Sequence, residues 1–462
     1  MAGKDTEVVV EARTTLGEPR GIEFERPEPE GTPVRGEAYD PEKIDIVTRS
    51  MTIDQILARI RAETIDLNAD LQRCRHAWNG VRQSRLVELV LLKIPLPAIY
   101  VAEDAGENWT VVDGIQRLTT IARFVDPAVI GDTPLVMEGL EYLGGDYVGK
   151  GFKELPPRLQ RRLKETELAV HVIRHGTPAP VKFNILSRLN DGGMPLTAQE
   201  IRHALTPGRA REILADWAQG KEFRKAIGNG IVDEGMADRE LVLRFIAFRL
   251  TPLGAYPDGD FEQFLGEAMR ALNDIPAVPA PDLASETEPA PEPEESPDAP
   301  PAAATTETVD EVGDMDLLAD DHGDRPAEDE GETPESEPEP ATVPDTAPAT
   351  PTLAGLDSEF KSAMTAAFAI FGEEAFRKPH GADEGRNPIN KALFETIAVN
   401  LAALDPDRRD MLVERGGAVR EQFIDLIENR KFILAVSQGT GDPAKVRTRF
   451  SEIEKLFKKV LS

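Results

Sequence analysis

The sequence predicts an α+β fold: a small mixed sheet with helices, followed by an all-α helical domain. Two observations carry this, and the cysteine count adds a bound on chemistry. Short β-branched or alternating runs at 98–101, 109–112 and 167–173 are interleaved with helix-period segments before Thr197. From Thr197 onward the patterned segments repeat apolar residues at three- and four-residue spacing. The chain has one cysteine, Cys74, which excludes an internal disulfide or a multi-Cys zinc site and suits a reducing compartment.

The formal net charge of −30 is concentrated. Residues 281–350 hold 23 acidic side chains against one basic, and residues 1–45 hold 12 against 6, so only about −2 belongs to the rest. The folded part is nearly neutral, and the acidity does not exclude a nucleic-acid partner. Residues 1–45 and 276–352 are rich in Glu and Pro with few large apolar side chains, so both are expected to be disordered. Inside the second tract, residues 312–319 carry Met-Asp-Leu-Leu, readable as a docking motif or as a chance apolar island. No apolar run reaches membrane-spanning length, and Val8-Val9-Val10 is too short for a signal peptide. A cytoplasmic protein without membrane contact is expected.

Order is expected to begin near Ile44. A helix follows over 51–60, with Thr52 as N-cap. Residues 83–93 form the next helix, with Leu86, Val87, Val90 and Leu91 inward, closed by Pro95 and Pro97. Strands at 98–101 and 109–112 lead into Asp113-Gly114, and 116–125 is helical. Pro156-Pro157 opens a basic helix with Arg158, Arg161, Arg162 and Lys164, either a solvated surface or a phosphate-backbone contact. The strand 167–173 closes the small sheet. A helix over 181–189 ends at Asn190-Asp191-Gly192-Gly193, and Thr197 with Glu200 forms a capping box for the next. Further helices are expected at 211–218, 239–248, 261–272, 360–371, 397–404, 420–427 and 447–461.

The turn at Asp113-Gly114 carries the chemistry. A strand, a glycine and a helix start bring free backbone N–H groups to one point, beside Gln116 and Arg117. That geometry favours an anion such as phosphate, and Asp113 could hold a metal ion or orient a water. The plainer reading is an ordinary strand-to-helix turn with a solvated Arg. Arg117 offers a planar fork to phosphate oxygens, and Thr119 a hydroxyl. The loop after 189 offers Arg188 and Asn190 as the far wall of a pocket, or is a simple joint between helices.

These blocks also carry a resemblance. The order IDLNADLQRCRHAW, SRLVELVLLKIPLPAIYV and WTVVDGIQRLTTIARF, with VKFNILSRLNDGGMPLTAQEIRHAL at 181–205, resembles the N-terminal domain of GmrSD-type restriction systems, which is similar to the ParB/sulfiredoxin-like fold. The family box is Asp-Gly-Gln-Gln-Arg-Leu-Thr-Thr. Here Asp113, Gly114, Gln116, Arg117, Leu118, Thr119 and Thr120 match, and Ile115 replaces the first Gln. The departure matters if that Gln contacts nucleotide and is harmless if it packs the helix start.

The resemblance implies a nucleotide-binding module that hydrolyses a nucleoside triphosphate, with Mg²⁺ as the accompanying ion. Carried over, Asp113, Gln116 and Arg117 are the catalytic candidates. Gly114, Arg117, Thr119, Gln72, Arg73, Arg188 and Asn190 are the cofactor-binding ones, and Asp113 the metal ligand. It implies domains at 46–195, 196–275 and 353–462, with the acidic tract inserted into one helical domain. His76, His171 and His175 lack ligand spacing, and no metal-nuclease constellation or P-loop is present. The expected function is an NTP-dependent regulatory or sensor subunit of a restriction-like defence system. Its nuclease would be a separate chain, and DNA is a candidate partner. The alternative is a non-catalytic, nucleotide-gated DNA-binding or scaffold protein.

Overall fold

The computed structural model describes residues 11–13, 19–25, 41–67, 78–189, 196–228, 230–231, 235–257, 260–276, 352–379 and 386–462. An N-terminal hairpin, β1 (Glu11–Arg13) and β2 (Pro19–Glu23), precedes the main sheet. That sheet contains β3 (Ile46–Thr52), β4 (Ile65–Asp66), β5 (Ile99–Glu103), β6 (Trp109–Asp113) and β7 (Glu167–Ile173), in the order β3-β7-β5-β6-β4. Its pairings alternate between antiparallel (β3–β7, β5–β6) and parallel (β7–β5, β6–β4), so it is mixed, as the sequence predicts.

Thr52 ends β3 and starts α1 (Ile53–Arg61). Its hydroxyl accepts from the Gln55 N–H at 3.2 Å, while its own N–H donates to the Gln55 side chain at 3.0 Å. This reciprocal cap satisfies two donors that the first helical turn leaves open. Two further helices, α2 (Gly80–Leu91) and α3 (Ile115–Val125), pack on each other beside the sheet. Val111 and Val112 are both buried although they point to opposite faces, because layers cover the sheet on both sides. Next come α4 (Pro157–Glu165), α5 (Ala179–Leu189) and α6 (Ala198–Leu205).

Leu186 on α5 and Ile201 and Ala204 on α6 belong to the same apolar cluster as Val87, Val111 and Leu118. That cluster thus spans the expected boundary at 195/196 and takes in α6. The capping box at Thr197 forms, and the Thr197 hydroxyl also donates to the Gly235 carbonyl at 2.7 Å.

After α6 come α7 (Ala210–Gln219), α8 (Lys221–Ala226), α9 (Ala237–Leu250), α10 (Phe261–Asp274), α11 (Leu353–Phe371), α12 (Lys391–Ala402), α13 (Pro406–Glu414), α14 (Gly416–Glu428), α15 (Arg430–Ser437) and α16 (Pro443–Leu461). Residues before and after the acidic tract share one core, with Phe360 packed against Phe223 and Phe245 and stacked on Trp217. Most of the tract itself, including 312–319, lies outside the described residues. Among the described residues no helix is long and apolar enough to cross a membrane.

α9 is buried over nearly its whole length yet carries Glu240 and Arg244. Arg244 is paired with Glu25, Glu240 and Glu395, and Glu395 also meets Arg449. Charges so far from water persist only when paired in this way. Burial works against the Glu240 charge, but Lys391 and Arg244 outweigh it and hold that carboxyl well below its ordinary range. The presence of Glu25 in this network corrects the expectation of disorder throughout 1–45. Residues 19–25 form a strand and its extension on the helical domain, with Ile22 and Glu23 buried.

Candidate nucleotide site

Asp113 ends β6, and Gly114 turns the chain into α3 with φ +96°. A side chain there is excluded twice: the left-handed backbone disfavours it, and a Cβ would lie 2.4 Å from Ile99 Cδ1. No side chain caps α3. Asp113, which could have done so, instead accepts from Arg117 Nη2 at 2.8 Å. Arg117 Nη1 donates to the Pro97 carbonyl at 2.5 Å. The Asp113 side chain is 44% exposed, whereas that of Arg117 is only 11% exposed. Arg117 is thus a brace across the turn rather than the solvated fork of the plain reading.

Behind this brace lies a buried polar seam between α2 and α3. The Trp78 N–H donates to Gln116 Oε1 at 3.4 Å, Gln83 Nε2 donates to the Trp78 carbonyl at 2.9 Å, and Arg123 Nη1 donates to Gln83 Oε1 at 2.9 Å. Thr120 turns inward and donates to the Gln116 carbonyl at 2.7 Å. Two groups on this face are left over. Gln116 Nε2 and Thr119 Oγ1 are buried and, among the described residues, have no hydrogen-bond partner. A buried polar atom without a partner costs about 1–3 kcal/mol, and a native fold rarely keeps one without a use. The two side chains are three residues apart on one helix and so share a face.

Ile115 is 4% exposed and sits in the apolar core with Leu118 and Ile121. Of the two readings of that departure, packing of the helix start is the one the structure supports. Arg188 is exposed on α5 and makes no hydrogen bond or ion pair with Asp113, Gln116 or Arg117. Gln72, Arg73 and Asn190 lie outside the described residues. The second sequence block nevertheless comes close, because α5 packs on α6 and α6 packs on β6, the strand that ends in Asp113. Sequence reasoning missed Gln83 and Arg123, whose polar side chains on inward helical faces were the available signal.

Among the described residues no group of three or more His, Cys, Asp or Glu could hold a metal ion. An all-protein cage is therefore not built there. A single half-exposed carboxylate, Asp113, does suit Mg²⁺, which commonly binds through one or two carboxylates together with substrate phosphates. On the basic helix, Arg162 donates to the Leu91 carbonyl and Lys164 lies 3.5 Å from Asp54, while Arg158 and Arg161 are exposed. His171 bonds Thr48 at 2.8 Å and packs on Tyr100, a structural role.

The fold and the turn define a two-part protein: an α+β domain built round a strand–glycine–helix turn, joined to an all-α domain. Residues 53–206 match the family model described as GmrSD restriction endonuclease, N-terminal domain. The chain thus carries a GmrSD-type N-terminal domain, which relates it to restriction systems. No curated protein and no solved structure matches it.

Proposed function

We propose that the chain is the nucleotide-binding and NTP-hydrolysing regulatory or sensor subunit of a restriction-like defence system, acting with a nuclease on a separate chain. The observation that carries this is the pair of buried groups without a partner among the described residues, Gln116 Nε2 and Thr119 Oγ1, on the first turns of a helix with no side-chain cap. The amide can donate to a phosphate or ribose oxygen, and the hydroxyl can donate or accept. The helix N-terminus adds open N–H groups and a favourable dipole. Asp113 is the residue that would hold Mg²⁺, whose chemistry is to neutralise phosphate charge. Arg117 acts through Asp113: it fixes the carboxylate direction and anchors the turn to Pro97.

DNA, if it is a partner, would meet the exposed Arg158 and Arg161 on α4. One observation favours the second reading, nucleotide-gated binding without turnover. The carboxylate at the turn is already engaged by Arg117, so the oxygen that accepts from Arg117 is not free to take a proton from a water. A thermal-shift panel of NTPs with and without Mg²⁺, followed by phosphate release on the hits, tests both readings. Turnover supports the first and tight binding without turnover the second. Failure of every NTP to shift the transition would refute both.

A further inference from the structure

The N-terminal arm is held in the helical domain as a bound peptide would be. The Glu23 N–H donates to the Ile389 carbonyl at 2.8 Å and the Ile389 N–H donates to the Gly21 carbonyl at 2.9 Å, so the arm adds as a strand beside Ile389. Its side chains are then read one by one. Gly21 has φ +75° and lies so close to the Gly230 carbonyl that a Cβ would fall 2.0 Å from that oxygen. Ile22 is 2% exposed in the helical core. Glu23 accepts from Lys378 Nζ at 2.6 Å and from Asn390 Nδ2 at 2.9 Å. Phe24 points out, and Glu25 accepts from Arg244 Nη2 and Thr440 Oγ1, both at 2.7 Å.

We propose that the helical domain is a receptor for an extended acidic segment of the pattern Gly-Ile-Glu-x-Glu. Residues 19–25 are its ligand in cis, exchangeable for a peptide of the same pattern. Charge complementarity argues for the occupant, since the groove supplies Lys378, Arg244 and Lys391 to two carboxylates. Exchange is supported by how the arm is built. Glu11 accepts from the Gly21 N–H at 2.7 Å and β1 pairs β2, so the hairpin satisfies its outer side by itself. The groove cations also keep partners when it leaves: Arg244 retains Glu240 and Glu395, Lys391 retains Glu240, and Lys378 retains Ser437.

The test uses the full chain with a protease site placed within residues 28–38, cleaved after folding, and a labelled peptide of residues 9–27. The cleaved chain should bind the peptide saturably. A peptide carrying Glu23→Gln and Glu25→Gln should bind about ten- to hundredfold more weakly, as expected when charge-assisted bonds become neutral ones. In the uncut chain the tethered arm competes at high effective concentration, so binding should be weak. Placing the same two substitutions in the uncut chain's own arm should restore it. Equal binding of the two peptides, no exchange into a cleaved chain that remains folded, or unfolding on cleavage would each overturn the proposal, the last by making the arm an integral strand.

Discussion

Thr119→Val separates a site waiting for a ligand from a flaw in packing. The Thr119 hydroxyl is buried, at 5% exposure, without a partner among the described residues. Leaving such a group unsatisfied costs about 1–3 kcal/mol, whereas replacing it with an apolar group of the same shape removes that cost. Val and Thr have nearly equal helix propensity, so the backbone term is close to zero. The variant without ligand should therefore be more stable by about 1 kcal/mol or more. At about 2–4 °C per kcal/mol, the melting temperature rises by a few degrees. In the same variant nucleotide affinity should fall about three- to tenfold, the worth of one neutral hydrogen bond. Differential scanning calorimetry and titration calorimetry on one preparation read both. A destabilised variant would mean that the hydroxyl is bonded within the protein. A stabilised variant with unchanged affinity would mean that the orphan group does not serve the nucleotide.

Other outcomes follow from the same geometry. Asp113→Asn should slow phosphate release with little effect on melting, while Arg117→Ala, which loses the Pro97 anchor as well as the ion pair, should cost about 1.5–3 kcal/mol of stability and weaken binding too. Identical behaviour of the two variants in melting and phosphate-release assays would contradict the assigned brace. Gly114→Ala should destabilise the α+β domain and abolish nucleotide binding, because the left-handed turn and the contact with Ile99 both reject a methyl group; circular dichroism melts check it. Acid should destabilise the fold through Glu25, Glu88 and Glu240. Burial pushes each carboxyl upward. Cationic neighbours of Glu25 and Glu240, and three backbone N–H donors to Glu88, more than reverse this and hold all three below the ordinary 4.5. Depressed carboxyl groups contribute stability that is complete above that value and lost as pH falls through the folded-state values. Glu88→Gln should flatten the decline measured by urea unfolding from pH 5 to 3, and an unchanged slope would remove Glu88 from this account.

Much of the outline was written locally. The Thr52 N-cap, the Thr197 capping box, the strand at 167–173 and the helix after Gly114 depend on spacing within a few residues, and each stands where the sequence predicts it. The chain also specified the turn itself, since a strand, a glycine and a helix start are contiguous. Other features are decided only by contacts between distant segments. The hydrophilic look of residues 19–25 hides a strand, because buried Glu23 and half-buried Glu25 meet Arg244, Lys378 and Asn390, some 220 to 370 positions away in the chain. The role of Arg117 depends on Pro97, and the fate of Ile115 on the packing of the helix behind it. Above all, sequence names Gln116 and Thr119 but cannot say whether their polar atoms are satisfied. That depends on which groups the tertiary fold places opposite them: Trp78 serves Gln116 Oε1, while among the described residues nothing serves Gln116 Nε2 or Thr119 Oγ1.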